Sequence, residues 1–453
     1  MLQLTSYQTA IAHAIVNSVL HESGRTFTVE AATGSGMREL SSQIKLLLMS
    51  LHVNGGVSLL KAAPEGAAGP RRLVGHLRGG SGPPHLWHAQ PGVVRLGLAE
   101  TRFVGISTLA MGSPDTARAA SPPGLIEVAE AQLLSRKEYE RLPGLREDRV
   151  TTVLYGTPWN GHTWFEELKQ RNRELEAGDG IQRHFRVTWE QAAAELPGYR
   201  AQAERVRAAL GEAHPTFQTR YALRPLAPYG PLLEPGQLSQ PAHQIARRHA
   251  ASPGNVTVAS VVITRRPQHL RDAATPPSGD WPVTAVVTLA SVRPDGEGLD
   301  VVDHRWIQAS DSQALAGRIA KVTGEAWQCA AVHIEDTVAD DEVLRGHLAR
   351  AMGDDLRWAS SSTRAYSARA LELLSHAHTA RLGVYAADAS PEHRALAREL
   401  DAAQATYRTD ATLSVGLPHG DEGFLRGLML IVEAANEADL RPAKAEVITA
   451  LAS

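Results

Sequence analysis

One cysteine, Cys329, among 453 residues excludes an intrachain disulfide and any multi-cysteine zinc site, and fits a reducing compartment. A dominant charge is also missing: 46 Lys and Arg face 49 Asp and Glu, a formal net charge of −3. Nothing global therefore draws this chain to phosphate, and any DNA contact must come from local patches of cations. No run approaches the roughly 18 apolar residues of a membrane span. The N-terminal stretch holds His13, Asn17 and His21 and lacks the basic segment of a signal peptide. A cytoplasmic, soluble protein with no membrane partner is the expectation. What is present is ordinary for a globular protein: 43% hydrophobic and 21% charged residues, at a length that suggests about two to four domains.

Along the chain, Ile11, Ala14, Ile15 and Val19 fall at helical spacing after a cap at Thr5 or Ser6. Short apolar strands then alternate with helices: Phe27–Val29, Val57–Lys61, Val93–Leu98 paired with Arg102–Ser107, Gly124–Val128 and Thr151–Tyr155. This alternation predicts an α/β protein built on a parallel sheet. Helices are expected over 163–177 and 189–212. Pro225, Pro228, Pro231, Pro235 and Pro241 argue against regular structure and predict a linker over 225–255 between units at 1–224 and 256–453. The second unit opens with β-branched strands at Val256–Thr264, Val283–Val292 and Val301–Ile307. Ala330–Ile334 follows, with helices at about 311–322, 340–352, 363–378, 391–406 and 421–438.

The motif that organises the first unit is Phe27-Thr-Val-Glu-Ala-Ala-Thr-Gly-Ser-Gly-Met-Arg. A strand, a Gly34-Ser35-Gly36 turn and a helix start make a phosphate cradle, because glycines let backbone N–H groups close on an anion. The residue after Gly36, where such a loop carries lysine, is Met37, and a thioether cannot neutralise phosphate charge. Upstream, Gln8 stands where some ATPases read adenine with an amide. Downstream, Leu125-Ile-Glu-Val-Ala-Glu130 ends as a strand that would hold Mg²⁺ through Asp and polarise water through Glu. Ala129 takes the metal-holding place and Glu130 keeps the other. Leu154-Tyr-Gly-Thr-Pro-Trp159 closes a strand with a polar turn, and Thr157 is the candidate sensor of phosphate state.

Taken together, YQTAIAHAI, AATGSGMRELSSQ, KAAP, LIEVAEAQ, TVLYGTPW and HPTFQTRYAL resemble the ATPase half of the large terminase subunit of tailed phages. In the second unit, AWQCAAVHIEDTVADDEVL resembles the strand and loop ending in the family's second nuclease acid. LPHGDEGFLRGLMLIVEAA resembles its C-terminal His-Asp-Asp helix start. The resemblance runs nearly end to end and rests on order and spacing, since no single motif is intact. It implies a P-loop NTPase-like parallel sheet followed by a ribonuclease-H-like nuclease fold. It also implies ATP with Mg²⁺ in the first unit and Mg²⁺ or Mn²⁺ in the second. The implied partners are double-stranded DNA, a terminase small subunit, a portal protein and further copies of the chain, in the cytoplasm of a bacterial host.

Matched residue by residue, the resemblance assigns Glu130 as the catalytic glutamate. Gln8, Gly34, Ser35, Gly36, Arg38 and Thr157 fall at nucleotide-contacting places, and Glu335, Asp336, Asp421 and Glu422 at metal-holding ones. Ala31 or Ala32 replaces an arginine before the loop; Arg102 and Arg118 are the nearest substitutes. Arg38, one residue past the lysine position, does not reproduce the geometry of an ammonium there. The first nuclease acid should close the strand Val256–Thr264, which carries none; Asp280 and Asp303 can replace it only if the fold brings them close. Met37, Ala129 and the missing first acid lead to the expectation of little ATP turnover and little metal-dependent DNA cleavage. The alternative reading is a non-catalytic scaffold of the same fold, binding DNA or a protein in a phage-derived system.

Overall fold

Two sheets carry the chain, each built from short apolar strands that helices cover on both faces. The structure is a computed structural model. It describes residues 4–63, 70–79, 87–90, 92–105, 124–142, 147–234, 237–238, 245–252, 255–264, 283–293, 296, 298–335, 342–417 and 423–437.

The N-terminal part begins with helix α1 (Ser6–Leu20), started by a capping box in which Thr5 and Gln8 satisfy each other's backbone N–H groups. Strand β1 (Thr26–Ala31) leads through the Gly loop into helix α2 (Met37–Leu51). Leu40, Ile44 and Leu48 recur on one face of α2 and are buried against the sheet. The sheet continues with β2 (Ser58–Ala63), β3 (Trp87–Gln90), β4 (Val93–Leu96), β5 (Ala99–Gly105), β6 (Leu125–Val128), β7 (Thr151–Gly156) and β8 (His184–Val187). Among the described residues its order is β3-β4-β5-β2-β6-β7-β1-β8. β1 runs parallel to both neighbours, β7 and β8. Its four central residues, Phe27–Glu30, are buried, as a strand covered on both faces requires.

After the short strand β9 (Tyr229–Pro231), the second sheet comprises β10 (Thr257–Thr264), β11 (Val283–Val292), β12 (Leu299–Ala309), β13 (Ala331–Glu335), β14 (Leu356–Ala359) and β15 (Leu382–Val384). β10, β11 and β12 form an antiparallel meander, and β13 returns parallel to β10, giving the order β14-β13-β10-β11-β12-β15. A parallel fourth strand beside the first strand of a meander is the ribonuclease-H-like arrangement. Helix Phe424–Glu437 lies across β10, β11 and β13 with Leu425, Leu428 and Val432 buried.

Three expectations are corrected. The helix predicted over 189–212 is two helices, Trp189–Glu195 and Tyr199–Leu210, because Pro197 has no N–H to donate and Gly198 adopts φ +77°. The helix predicted over 391–406 stops at Ala402, and Gln404–Tyr407 is a strand, β16. The proline-rich stretch is not devoid of regular structure: β9 pairs with β16, which pairs with β17 (Leu413–Gly416). β9 is an edge strand, where proline is tolerated. Nothing in the sequence announced β3 or β8.

Candidate functional site

A cleft of about 300 Å³ opens where the carboxyl ends of β1, β6 and β7 meet the start of α2. Gly34 and Gly36 both take left-handed backbone, φ +82° and +83°, and this turns the chain back over the sheet. Neighbouring elements grip the loop by its carbonyls. Tyr199 Oη donates to Thr33 O at 2.8 Å, Tyr7 Oη to Ser35 O at 3.0 Å, and Gln8 Nε2 to Gly36 O at 3.4 Å. The Ser35 N–H donates to Ala32 O at 3.1 Å, and the first turn of α2, whose N–H groups a helix start leaves without intrahelical partners, borders the cleft at Met37, Arg38 and Glu39. The Ser35 hydroxyl lines the same cleft, is buried, and has no hydrogen-bond partner among the described residues. An orphaned buried hydroxyl inside a Gly-framed cradle fits an anionic oxygen. A methyl group on Gly36 would come within 2.4 Å of Gln8 Nε2. Gly36→Ala is therefore expected to cost about 1–3 kcal/mol through the positive φ and this clash, read as a lowered melting temperature.

The candidate residues of this half fall together. Gly34, Ser35, Gly36, Arg38, Glu130 and Thr157 all line the cleft. Gln8 is buried, with its amide shared between the Thr5 backbone and the Gly36 carbonyl, so it supports the loop from behind. Glu130 sits at φ +53° and accepts a hydrogen bond from Gln132 Nε2 at 2.6 Å. The Gln132 carbonyl oxygen in turn accepts from the Thr157 N–H at 3.2 Å. The Gln132 side chain thereby links Glu130 to the turn after β7. That turn also reaches the second half of the chain: Trp159 Nε1 donates to Arg408 O at 2.6 Å and Asn160 Nδ2 to Tyr407 O at 2.7 Å.

Met37 packs against the apolar core between α1, α2 and the sheet. Positive charge is supplied from elsewhere. Beneath the cleft, Lys45 and Glu127 form a fully buried ion pair, and Ser41 Oγ donates to Glu127 Oε2 at 2.7 Å. Lys45 Nζ and Lys61 Nζ reach Ser41 Oγ at 2.5 and 2.8 Å. The Tyr155 hydroxyl, which burial and then the Glu127 charge keep protonated, lies 3.4 Å from Glu127 Oε1. Burial opposes the Glu127 charge, but Lys45 and Lys61 outweigh it and hold its pKa below the ordinary carboxylate value. Sequence reasoning missed this cluster. A strand's alternation sets Glu127 on the same face as Ala129, and a carboxylate within an apolar strand was the available signal.

The place where the resemblance implies an Mg²⁺-holding acid has none. Ala129 offers no oxygen from its side chain, and the Ser41 hydroxyl is committed to Glu127.

In the second sheet, Glu335 ends β13 and is buried, with 3% exposure. Arg426 Nη1 donates to its Oε2 at 2.6 Å, and Arg369 Nη1 lies 3.7 Å from Oε1. Two guanidiniums occupy the surroundings in which a metal acid would need a cation. β10 supplies no acid, and its Ser260 hydroxyl is spent on Gly427 O at 2.8 Å. Asp303 is no substitute: it lies on β12, separated from β13 by β10 and β11. Arg247 and Arg305 hold it at 2.7 and 2.5 Å. Glu399 accepts from the Gly423 and Leu425 N–H groups, at 3.1 and 2.6 Å, and so caps helix Phe424–Glu437 from outside. Asp336, Asp421 and Glu422, with Asp280 and Arg118, lie outside the described residues. Among the described residues no three His, Cys, Asp or Glu side chains are grouped to hold a metal ion. Of the four metal-holding candidates only Glu335 lies among the described residues, and there it is paired with Arg426. No helix among the described residues is long and apolar enough to cross a membrane.

A P-loop-type sheet with its Gly loop, followed by a ribonuclease-H-like sheet, defines a two-part α/β architecture. It is the fold of the large terminases. The large terminase of a thermophilic bacteriophage superimposes with a TM-score of 0.64 at 10% identity, over 95% of this chain and 99% of that one. The same phage protein in complex with ADP, at 10% identity, and with ATP-gamma-S, at 11%, superimposes with a TM-score of 0.59 over the same shares. No family model and no curated protein matches the sequence.

Proposed function

We propose that this chain is a DNA-packaging protein of the terminase type that binds nucleotide phosphate in the Gly-loop cleft and engages double-stranded DNA without cutting it. Residues 1–224 form its nucleotide unit, 225–255 the connection and 256–453 the DNA unit. The observation that carries the reading is the ion pair of Glu335 with Arg426, which neutralises the acid that a nuclease would spend on metal. The orphaned Ser35 hydroxyl in the cradle supports the nucleotide half, and the complexes of the thermophilic phage terminase with ADP and ATP-gamma-S match it by analogy of fold. The missing side-chain ligand at Ala129 points to slow or absent hydrolysis, so nucleotide acts as a ligand that biases the turn at Thr157. A small subunit, a portal protein and further copies of the chain are the protein partners of this reading.

Incubated with plasmid DNA and Mn²⁺, the purified protein is expected to leave the DNA intact while retarding it in a gel. Efficient cleavage that disappears on Glu335→Ala would overturn the non-cutting reading. With DNA present, ATP turnover should stay at background. A robust rate abolished by Glu130→Gln would show a working motor instead.

A further inference from the structure

Lys61 is a residue to which the resemblance gives no part. It sits on β2, yet its side chain lines the same cleft as the Gly loop. Its Nζ donates to Ser41 Oγ at 2.8 Å, and Ser41 lies on α2 one turn beyond the position where a phosphate-binding loop places its lysine and hydroxyl. Beneath the loop stand two lysines, Lys45 and Lys61, and one acid, Glu127. Lys45 is buried with Glu127, at 2% and 0% side-chain exposure. Of these three, Lys61 is the one whose side chain lines the cleft, together with Arg38 and Arg220.

From this geometry we infer that Lys61 is the relocated phosphate-binding cation of the cleft, supplying from β2 the charge that Met37 cannot. The inference rests on the nucleotide reading above and names its ligand chemistry: the diphosphate or triphosphate of a nucleotide, held by the loop's N–H groups, the Ser35 hydroxyl and an ammonium. A lysine stem is long and flexible enough to swing its head from Ser41 to a phosphate oxygen. The relocation also accounts for Met37. Once charge arrives from β2, the first position of α2 is available for apolar packing, and Met37, which also lines the cleft, packs against the core.

The test uses the full chain and a fluorescent methylanthraniloyl ADP, with adenosine and inorganic pyrophosphate as competitors. The wild type should bind ADP and release it to pyrophosphate. Lys61→Gln should weaken ADP binding by about tenfold or more and leave adenosine competition unchanged. Lys61→Arg, which keeps the charge, should stay within about threefold. Because Lys61→Gln also touches a buried network, a second measurement uses unmodified protein. Acetylation of Lys61, followed by mass spectrometry, should slow in saturating pyrophosphate while that of the exposed Lys137 does not. If the wild type binds ADP but neither Lys61→Gln nor pyrophosphate protection has an effect, Lys61 is not the cation and the nucleotide reading stands. If the wild type binds neither ADP nor pyrophosphate, the nucleotide reading falls and the inference with it.

Discussion

Glu335→Ala should destabilise the protein by about 3–5 kcal/mol, and should do so in a chelator as fully as in Mg²⁺. The carboxylate is the meeting point of Arg426, at 2.6 Å, and Arg369, at 3.7 Å, and all three side chains are largely buried. Truncating it takes a buried carboxylate away from two guanidiniums, of which Arg369 keeps Glu433 at 2.8 Å. Arg426→Ala is expected to cost less, since Glu335 then retains Arg369. The opposite sign belongs to a working metal centre: clustered acids repel one another when no metal is bound, so removing one leaves the metal-free protein unchanged or more stable. Thermal unfolding in EDTA separates the two cases. A fall in melting temperature on the order of 10 °C supports the ion pair, and a rise would restore Glu335 to the role of metal ligand.

The same residue shows how much was legible in the sequence. Glu335 was identifiable as the acid closing a buried strand, because strand periodicity and the apolar run before it are local signals. Its partners were not, because Arg426 and Arg369 come from helices far along the chain, and pairing across such distances leaves no periodic trace. The Gly loop was legible for the same local reason: Gly34 and Gly36 are required by a turn only they can make, and both adopt φ above +80°. Met37 and Ala129 were legible as departures, but what compensates them was not. Lys45 and Lys61 reach Ser41 from different elements, and only the fold brings them together. β9 was hidden by its prolines, which rule out a central strand but not an edge one. β16 was hidden by the helical spacing that runs on from Pro391–Ala402.

The second large effect is expected at Glu127, and it is asymmetric. Glu127→Leu removes the buried carboxylate paired with Lys45 and leaves two ammoniums around Ser41, a loss of about 3–5 kcal/mol. Lys45→Met leaves Glu127 with Lys61 nearby, the Ser41 hydroxyl and the Tyr155 hydroxyl, and should cost about 2 kcal/mol. The double variant should be less unstable than the sum of the two, because each single change leaves an unmatched charge that the double change removes. Acid titration adds a check on sign. The folded protein holds the Glu127 pKa below its ordinary value. Its stabilising contribution is thus complete above the unfolded carboxylate pKa, about 4.3, and is lost as pH falls through the folded value. Urea unfolding of wild type and Glu127→Leu at pH 7 and at pH 3 should therefore show the gap between them narrowing at the lower pH. A gap that is constant, or widens in acid, would mean that Glu127 is not ionised in the folded state, and its ion pair with Lys45 would fall.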